Sequence, residues 1–437
     1  MTSAALIALA DSVQSEVEML RGWTFKHPVA KDVRSPEQLH AFLMESLDRE
    51  YPDDRFPHVQ AFLRTVGLLP DTVALESTMV SVLMNQVAGF YDPATRGFNM
   101  VNLDNMHLPP AMLRILIAHE LTHALDDQYV SLDSLLFAVE PTEDAQFAVA
   151  AVAEGSATEL MTRYLARMQM TGALSAEELG ALMKSEMERS RPFLESPPYF
   201  ASIVGRYTCG MWFLLRNDMT ALMNVNGDSG VGKVLPQVWA RLPRSSEQIL
   251  HQEKYWDEAT RDEPVVVDDD AVRGVLAAAG ARVLHTNTVG EALCAVLTRP
   301  ASDEFSVMTA ASASAWTCEA AAGWGGDRFY LLGAAGADDA GESDGPSAGA
   351  TRDASTRPAR GMWITAWDTP TDRDEFVAAY APVAEARGAV AVIVGERSAV
   401  YVYGFTGDAG RYAVAAIVTD LTAAPSPLSQ DGQPVAW

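Results

Sequence analysis

The run Met112-Leu113-Arg114-Ile115-Leu116-Ile117-Ala118 has the makings of a buried helix, and it continues directly into His119-Glu120-Leu121-Thr122-His123. Burying three ionisable side chains unpaired is costly, so any fold of this chain must bring partners to that helix. Positions four apart share a helical face, so His119 and His123 can aim both imidazoles at one point. Glu120 stands about 100° further round, able to reach a water at that point without ligating. Two imidazoles plus a neighbouring carboxylate suit a zinc ion and the base of a hydrolase. The bland alternative is a pair of hydrogen-bonded core histidines.

A catalytic zinc site needs a third protein ligand and one open position. A glycine at position 126 with a third histidine at position 129 would supply it, but the chain has Asp126 and Tyr129. The better candidate is Glu154, on a helical stripe with Phe147, Ala151 and Thr158. A lone carboxylate on such a stripe needs a cation, either a metal or an arginine. Gly155 beside it would let its helix approach another closely. Glu159 points elsewhere and reads as an outer or surface group. Asp127, four residues after His123, is placed to orient an imidazole, or else is a solvated helix-end acid. Hydrolysis also needs a donor for the developing oxyanion. His251, after the apolar pair Ile249-Leu250, is the first candidate, with Tyr199 and Tyr207 next. The alternatives are a capping histidine and two core tyrosines. The remaining histidines (His27, His40, His58, His107 and His285) read as structural or exposed.

The HExxH helix followed by a glutamate ligand resembles the gluzincin pattern of thermolysin-like zinc peptidases. His119-Glu120-Leu121-Thr122-His123-Ala124-Leu125, then Asp127-Gln128, then Glu154-Gly155-Ser156-Ala157-Thr158 is more closely similar to a bacterial group of metallopeptidases with HELTHALxDQ and EGxAT motifs. Gly89-Phe90-Tyr91-Asp92-Pro93 and Ser246-Glu247-Gln248-Ile249-Leu250-His251 also look like that group, so the resemblance spans about residues 70–256. It implies a zincin active-site helix, a glutamate-bearing helix and an edge strand beside the cleft. Thermolysin-like enzymes carry an aspartate four residues after the glutamate ligand; here Thr158 stands there, as an expected supporting residue.

The expected fold is α+β. It has a helical segment (1–67), a mainly helical zincin-like domain with a small hairpin (68–262), and a C-terminal α+β domain (263–437). Hydrophobic periodicity and caps predict helices over about 70–87, 111–129, 142–170 and 372–386. A hairpin is expected over 89–101, and residues 175–256 should be mostly helical with breaks at Pro192, Pro197-Pro198 and Asn226-Gly227. Strands are expected at 328–332, 362–366, 390–394, 399–404 and 412–418, with a mobile loop over 333–360. Strand 98–101 is expected to pair with an extended substrate. The run Asp268-Asp269-Asp270 reads as a solvated linker. Cys209 reads as core, and a Cys294–Cys318 disulfide is open.

With 32 Lys+Arg against 58 Asp+Glu, the formal charge of −26 argues against nucleic acid as a partner. Neither a membrane-spanning run nor a secretion signal is readable in the sequence, which leaves the compartment open. The expectation is a monomeric zinc peptidase acting on a peptide or protein. The alternative is a zinc-binding but catalytically silent scaffold on the same fold.

Overall fold

The computed structural model describes residues 3–52, 55–86, 89–101, 109–194, 197–300, 307–334, 360–405, 407–423 and 426–435. The chain is a mixed α+β protein with small sheets. Its first part runs α1 (Ser3–Arg21), β1 (Ala30–Arg34), α2 (Pro36–Glu50), α3 (Arg55–Val66), α4 (Leu75–Gln86), β2 (Gly89–Asp92) and β3 (Gly97–Val101). Then come α5 (Pro110–Asp127), α6 (Leu132–Ala138), α7 (Glu143–Met170), α8 (Ala176–Leu194), α9 (Pro198–Leu215), α10 (Val231–Ala240), α11 (Ser246–Leu250) and α12 (Glu253–Trp256). The last part holds β4 (Val266–Val267), α13 (Asp269–Ala278), β5 (Ala281–Asn287), α14 (Gly290–Thr298), α15 (Val307–Ala310), β6 (Trp324–Ala334) and β7 (Arg360–Trp367). It ends with α16 (Pro370–Ala386), β8 (Val390–Val394), β9 (Ser398–Tyr403), α17 (Gly407–Ala423), β10 (Leu428–Gln430) and β11 (Gln433–Pro434).

Several expectations are corrected. The first 67 residues include a strand, β1, paired parallel to β3. Its sequence, Ala-Lys-Asp-Val-Arg, has no strand periodicity; the pairing comes from its partner. β3 therefore lies in the middle of the order β1-β3-β2. Both its edges are taken, so residues 98–101 cannot accept a substrate strand. The edge toward α5 belongs to β2. Helix α8 runs on through Pro192 to Leu194. Residues 412–418 are helical, in α17: Val414, Ile417 and Leu421 are buried at spacings of three and four, although valine and isoleucine alone suggest a strand. The three cysteines are free thiols, so no Cys294–Cys318 bond forms. Residues 335–359 of the expected loop, and His107, lie outside the described residues; the loop's ends belong to β6 and β7.

Helix α1 carries Leu6, Ala10, Val13, Val17 and Leu20 at spacings of four and three. This stripe packs into one core with Met112, Ile115 and Leu121 of α5, Phe98 and Met100 of β3, and Leu160 and Tyr164 of α7. The antiparallel sheet β5-β6-β7-β9-β8 is covered on both faces. Strand alternation sends Phe329, Trp363, Tyr401 and Tyr403 to one face, against α3, α14 and α16. Leu332, Met362, Ile364, Val400 and Val402 face α13 and α17. Burial on both sides explains why these strands read as continuous apolar runs. Residues from all three expected segments thus share cores.

Helices α7 and α9 make the closest contact. A Cβ on Gly155 would lie 2.1 Å from the Gly210 carbonyl carbon, and one on Gly210 would lie 1.7 Å from the Ala151 carbonyl oxygen. Only glycine permits this approach.

The C-terminal region docks on the start of α7 directly, where Glu143 N donates to Asn287 Oδ1 at 2.8 Å, and through Ser246 of α11, whose Oγ accepts from Ala292 N at 3.1 Å. Asp144 Oδ1 accepts from Ser246 N (2.8 Å) and Ser246 Oγ (2.5 Å). Asp327 accepts from Val289 N, Gly290 N, Trp324 Nε1 and Trp363 Nε1, each at 2.9 Å. The expected linker is ordered: Asp268 caps α13, and Asp269 pairs with Arg328 and Tyr330. Burial pushes the Asp144 carboxyl up to about 7, with the Asp327 and Glu291 charges acting in the same direction.

Two predictions follow from these contacts. Gly210→Ala should cost roughly 1–3 kcal/mol or more in urea unfolding through overpacking. Gly180→Ala, in α8 with nothing within 4 Å, should cost nothing and gain up to about 1 kcal/mol. For Asp144, the folded carboxyl holds its proton to higher pH than the unfolded one. Its contribution to stability is therefore intact below about pH 4 and is lost as pH rises through about 7, on the order of 1 kcal/mol per pH unit. Asp144→Asn should flatten the pH 4–7 slope of the unfolding free energy relative to the parent; an unchanged slope would refute this account of the junction.

Candidate metal centre

Helix α5 presents His119 and His123 one turn apart on one face, and α7 brings Glu154 against them. His119 Nε2 lies 3.2 Å from Glu154 Oε2 and 3.2 Å from His123 Nε2; His123 Nε2 lies 3.5 Å from Glu154 Oε2. Ligands about 2.0–2.1 Å from a tetrahedral ion sit roughly 3.3 Å from one another, so these three atoms have the mutual spacing of a metal's ligand set. Hydrogen bonding alone serves the group poorly. Two ring nitrogens and a carboxylate oxygen converge on one point, and His119 Nδ1 is buried without a partner. The donor set therefore fits a divalent cation such as zinc. The side chains are 8%, 13% and 26% exposed for His119, His123 and Glu154, so solvent reaches the site from one side.

Burial by itself would raise Glu154, but the charge on His123 and hydrogen bonds from both histidines outweigh it and hold the carboxyl well below its usual range. Burial would likewise lower His123; the Glu154 charge overrides it and raises the imidazole to about 9. Glu120 ligates nothing in the triad but accepts from Tyr91 N of β2 at 2.8 Å, within reach of the charges of His119, His123 and Glu154. Burial raises its pKa against the pull of the two histidines. Tyr207 of α9 completes the wall: its ring stacks 5.8 Å from that of His119, at 25°. The Glu154 charge, then burial, push its hydroxyl well above the usual tyrosine range, so it keeps its proton.

A buried charge network fixes the two ligand helices to each other. Arg21, the last residue of α1, is 0% exposed and contacts Asp126 Oδ1 of α5 at 3.2 Å. It donates to Ser156 Oγ of α7 at 2.6 Å, and Ser156 Oγ donates to Asp126 at 2.5 Å. Glu159, expected as an outer or surface group, is fully buried and pairs with Arg163 (2.5 Å) and Arg21 (4.0 Å). Arg163 also donates to the Leu20 carbonyl. Two arginines thus balance two acids between α1, α5 and α7.

Other expected site residues stand elsewhere. Tyr199 is core, its hydroxyl donating to Glu143 at 3.1 Å. His251 ends α11 with Nε2 2.8 Å from Glu291 Oε1, because Ile249 and Leu250 pack into the core under α7 and α9 and carry it toward α14. Neither makes a contact with the His119–His123–Glu154 group among the described residues. Asp127 is buried and orients no imidazole; it accepts from Leu132 N and from Tyr91 Oη, both at 2.8 Å. It thereby ties β2 to the end of α5. The Thr158 hydroxyl is buried without a partner. A second carboxylate trio, Glu247, Asp262 and Asp368, is already filled by Lys254, whose ammonium lies 2.6–3.1 Å from all three.

Comparison with known proteins adds one finding. Residues 280–433 match a family described as a domain of unknown function (DUF8575). The match covers the five-stranded sheet with its C-terminal helices and leaves the histidine helix outside. No curated protein and no solved structure matches the chain.

Arg21, Ser156 and Tyr91 belong to the site and were not expected there. The stripe on α1 that ends at Leu20 is the signal that placed Arg21 at a buried position. Arg21→Met strands Asp126 and Glu159 with too little countercharge and should cost about 3–5 kcal/mol in denaturant unfolding. Adding Asp126→Asn should recover part of the loss; strict additivity in that double-mutant cycle would show that the pair is not coupled.

Proposed function

We propose that this protein is a zinc-dependent peptidase of gluzincin type, with His119, His123 and Glu154 holding the ion and Glu120 as the base. The mutual spacing of the three donor atoms, with a raised-pKa carboxylate one residue from the first ligand, carries this reading. Bound there, zinc would supply a Lewis acid that brings the pKa of water toward neutrality.

The protein's own groups do the rest. Glu120, lifted by burial toward the working pH of a general base, takes a proton from water and later passes it to the leaving amine. Tyr207 remains protonated beside Glu154 and donates to the carbonyl oxygen as negative charge develops there. It takes the role for which the sequence suggested His251. An extended peptide lies along the outer edge of β2, where Tyr91 N turns from Glu120 to the peptide as main-chain donor and frees the carboxylate for the water. The substrate is a peptide or protein segment.

The test pairs elemental analysis with cleavage of a quenched fluorescent peptide mixture. The parent should hold about one zinc per chain, and His123→Ala should lose it. Glu120→Gln should keep the zinc and lose cleavage by at least about 100-fold. No zinc after add-back would sink the proposal. Zinc in the parent without cleavage in any form would favour the silent scaffold.

A further inference from the structure

Tyr91 is fastened to α5 at both ends. Its main-chain N–H donates to Glu120 Oε2 at 2.8 Å, and its hydroxyl donates to Asp127 Oδ2 at 2.8 Å. The two acceptors stand about two turns apart, so the residue lies along the helix. Burial, with the Asp127 bond and charge adding to it, pushes the hydroxyl well above the usual tyrosine range, and it stays a donor. Asp127 is committed on its other side as well: Oδ1 accepts from Leu132 N at 2.8 Å, at the start of α6. With both oxygens in use and the side chain buried, this carboxylate is a fixed anchor and does not follow the strand.

The strand it anchors is a free edge. β2 ends the order β1-β3-β2, and Tyr91 N is spent on Glu120 and not on β3. One residue earlier, Phe90 stacks on Phe42 of α2 at 4.2 Å and 19°. Neighbouring side chains of a strand point to opposite faces. Tyr91 packs with the α1–α5 core, while Phe90 packs with Leu39 and Leu43 of α2. A strand gripped on both faces and open along its edge has little freedom left to lose when a peptide pairs with it. When the peptide takes the Tyr91 N–H, the bond to Glu120 goes. Among the described residues, the hydroxyl bond to Asp127 is then the hydrogen bond that keeps Tyr91 on α5.

Resting on the peptidase reading, we infer that Tyr91 and Asp127 are positioning residues for an extended substrate. Their bond is the pivot that holds the edge of β2 against α5 while Tyr91 N passes from Glu120 to the peptide. The site therefore selects peptides long enough to lie along β2 over short ones that reach only Glu120 and the three ligands.

The experiment measures kcat and KM of the full-length, zinc-loaded protein on two fluorogenic substrates with one scissile bond: an extended peptide and a blocked dipeptide. The parent should favour the extended one. Tyr91→Phe removes the hydroxyl and leaves the N–H, Glu120 and the Asp127–Leu132 bond in place. It should lower the ratio of kcat/KM, extended over short, about tenfold, through KM and with zinc retained. Asp127→Asn keeps an acceptor for Leu132 N, should lower the ratio in the same direction, and is read in its own right if Tyr91→Phe fails to fold. The double variant should lose no more than Tyr91→Phe alone, because both changes remove one bond. An unchanged ratio in folded, zinc-loaded variants, losses that multiply, or a parent indifferent to length overturns the inference alone. A fall in stability or in kcat that leaves the ratio intact overturns it too, since that is all a structural tie would give. No cleavage of either substrate by the zinc-loaded parent overturns the peptidase reading with it.

Discussion

Helices α7 and α9 meet where a Cβ on Gly210 would overlap the Ala151 carbonyl oxygen. At such a crossing the backbones themselves are the packing surface. Small shifts are not absorbed by flexible side chains, so the axial position and rotation of the two helices are tightly set. Glu154 precedes Gly155 directly, and Tyr207 lies three residues before Gly210. Ligand and aromatic wall are therefore fixed by the same contact. The stacking of Tyr207 on His119 extends that precision to α5.

Holding the ligand helices together raises an electrostatic problem in a chain of net charge −26. Near the site, Asp126, Glu159, Glu120 and Glu154 all approach the interior. The fold answers with two buried arginines, shared hydroxyl and main-chain donors, and the histidines. Asp126 remains raised by burial in spite of Arg21. The network thus specifies which helices meet more than it stabilises their meeting, as expected of buried ion pairs. The same accounting holds inside the C-terminal region, where Asp327 collects four donors, and at its junction, where Lys254 collects three acids.

The sequence made the histidine pair and Glu154 legible because local periodicity alone decides which residues share a helical face. Gly155 announced its close contact for the same reason. What periodicity cannot supply is the identity of a distant partner. His251 and Tyr199 looked like free polar groups next to apolar runs, but their partners, Glu291 and Glu143, lie 40 and 56 residues away. Tyr207 looked no better than Tyr199, because only the orientation of α9 separates them. β1 was unreadable for a related reason: its hydrogen bonds are made by β3, and its own side chains carry no strand pattern. In α17 the helical spacing of Val414, Ile417 and Leu421 was present, but β-branched composition pointed the other way.

The C-terminal region also takes part in positioning the site. The first N–H groups of a helix have no partner within it. In α7, Glu143 N is bonded to Asn287 Oδ1 and Asp144 N to the Thr288 carbonyl, both from the region that follows β5. Thr142 satisfies the next two, through its hydroxyl to Ala145 N and its carbonyl to Gln146 N. Half of this cap therefore comes from the segment that matches the domain of unknown function. Glu154 stands about three turns further along the same helix. Because α7 is continuous and locked to α9 at Gly155, a displacement at its capped end cannot be confined there. The sheet and the histidine helix share no strand, yet one rigid helix is held by both. That arrangement makes the C-terminal region part of the framework of the site and not an appendage to it.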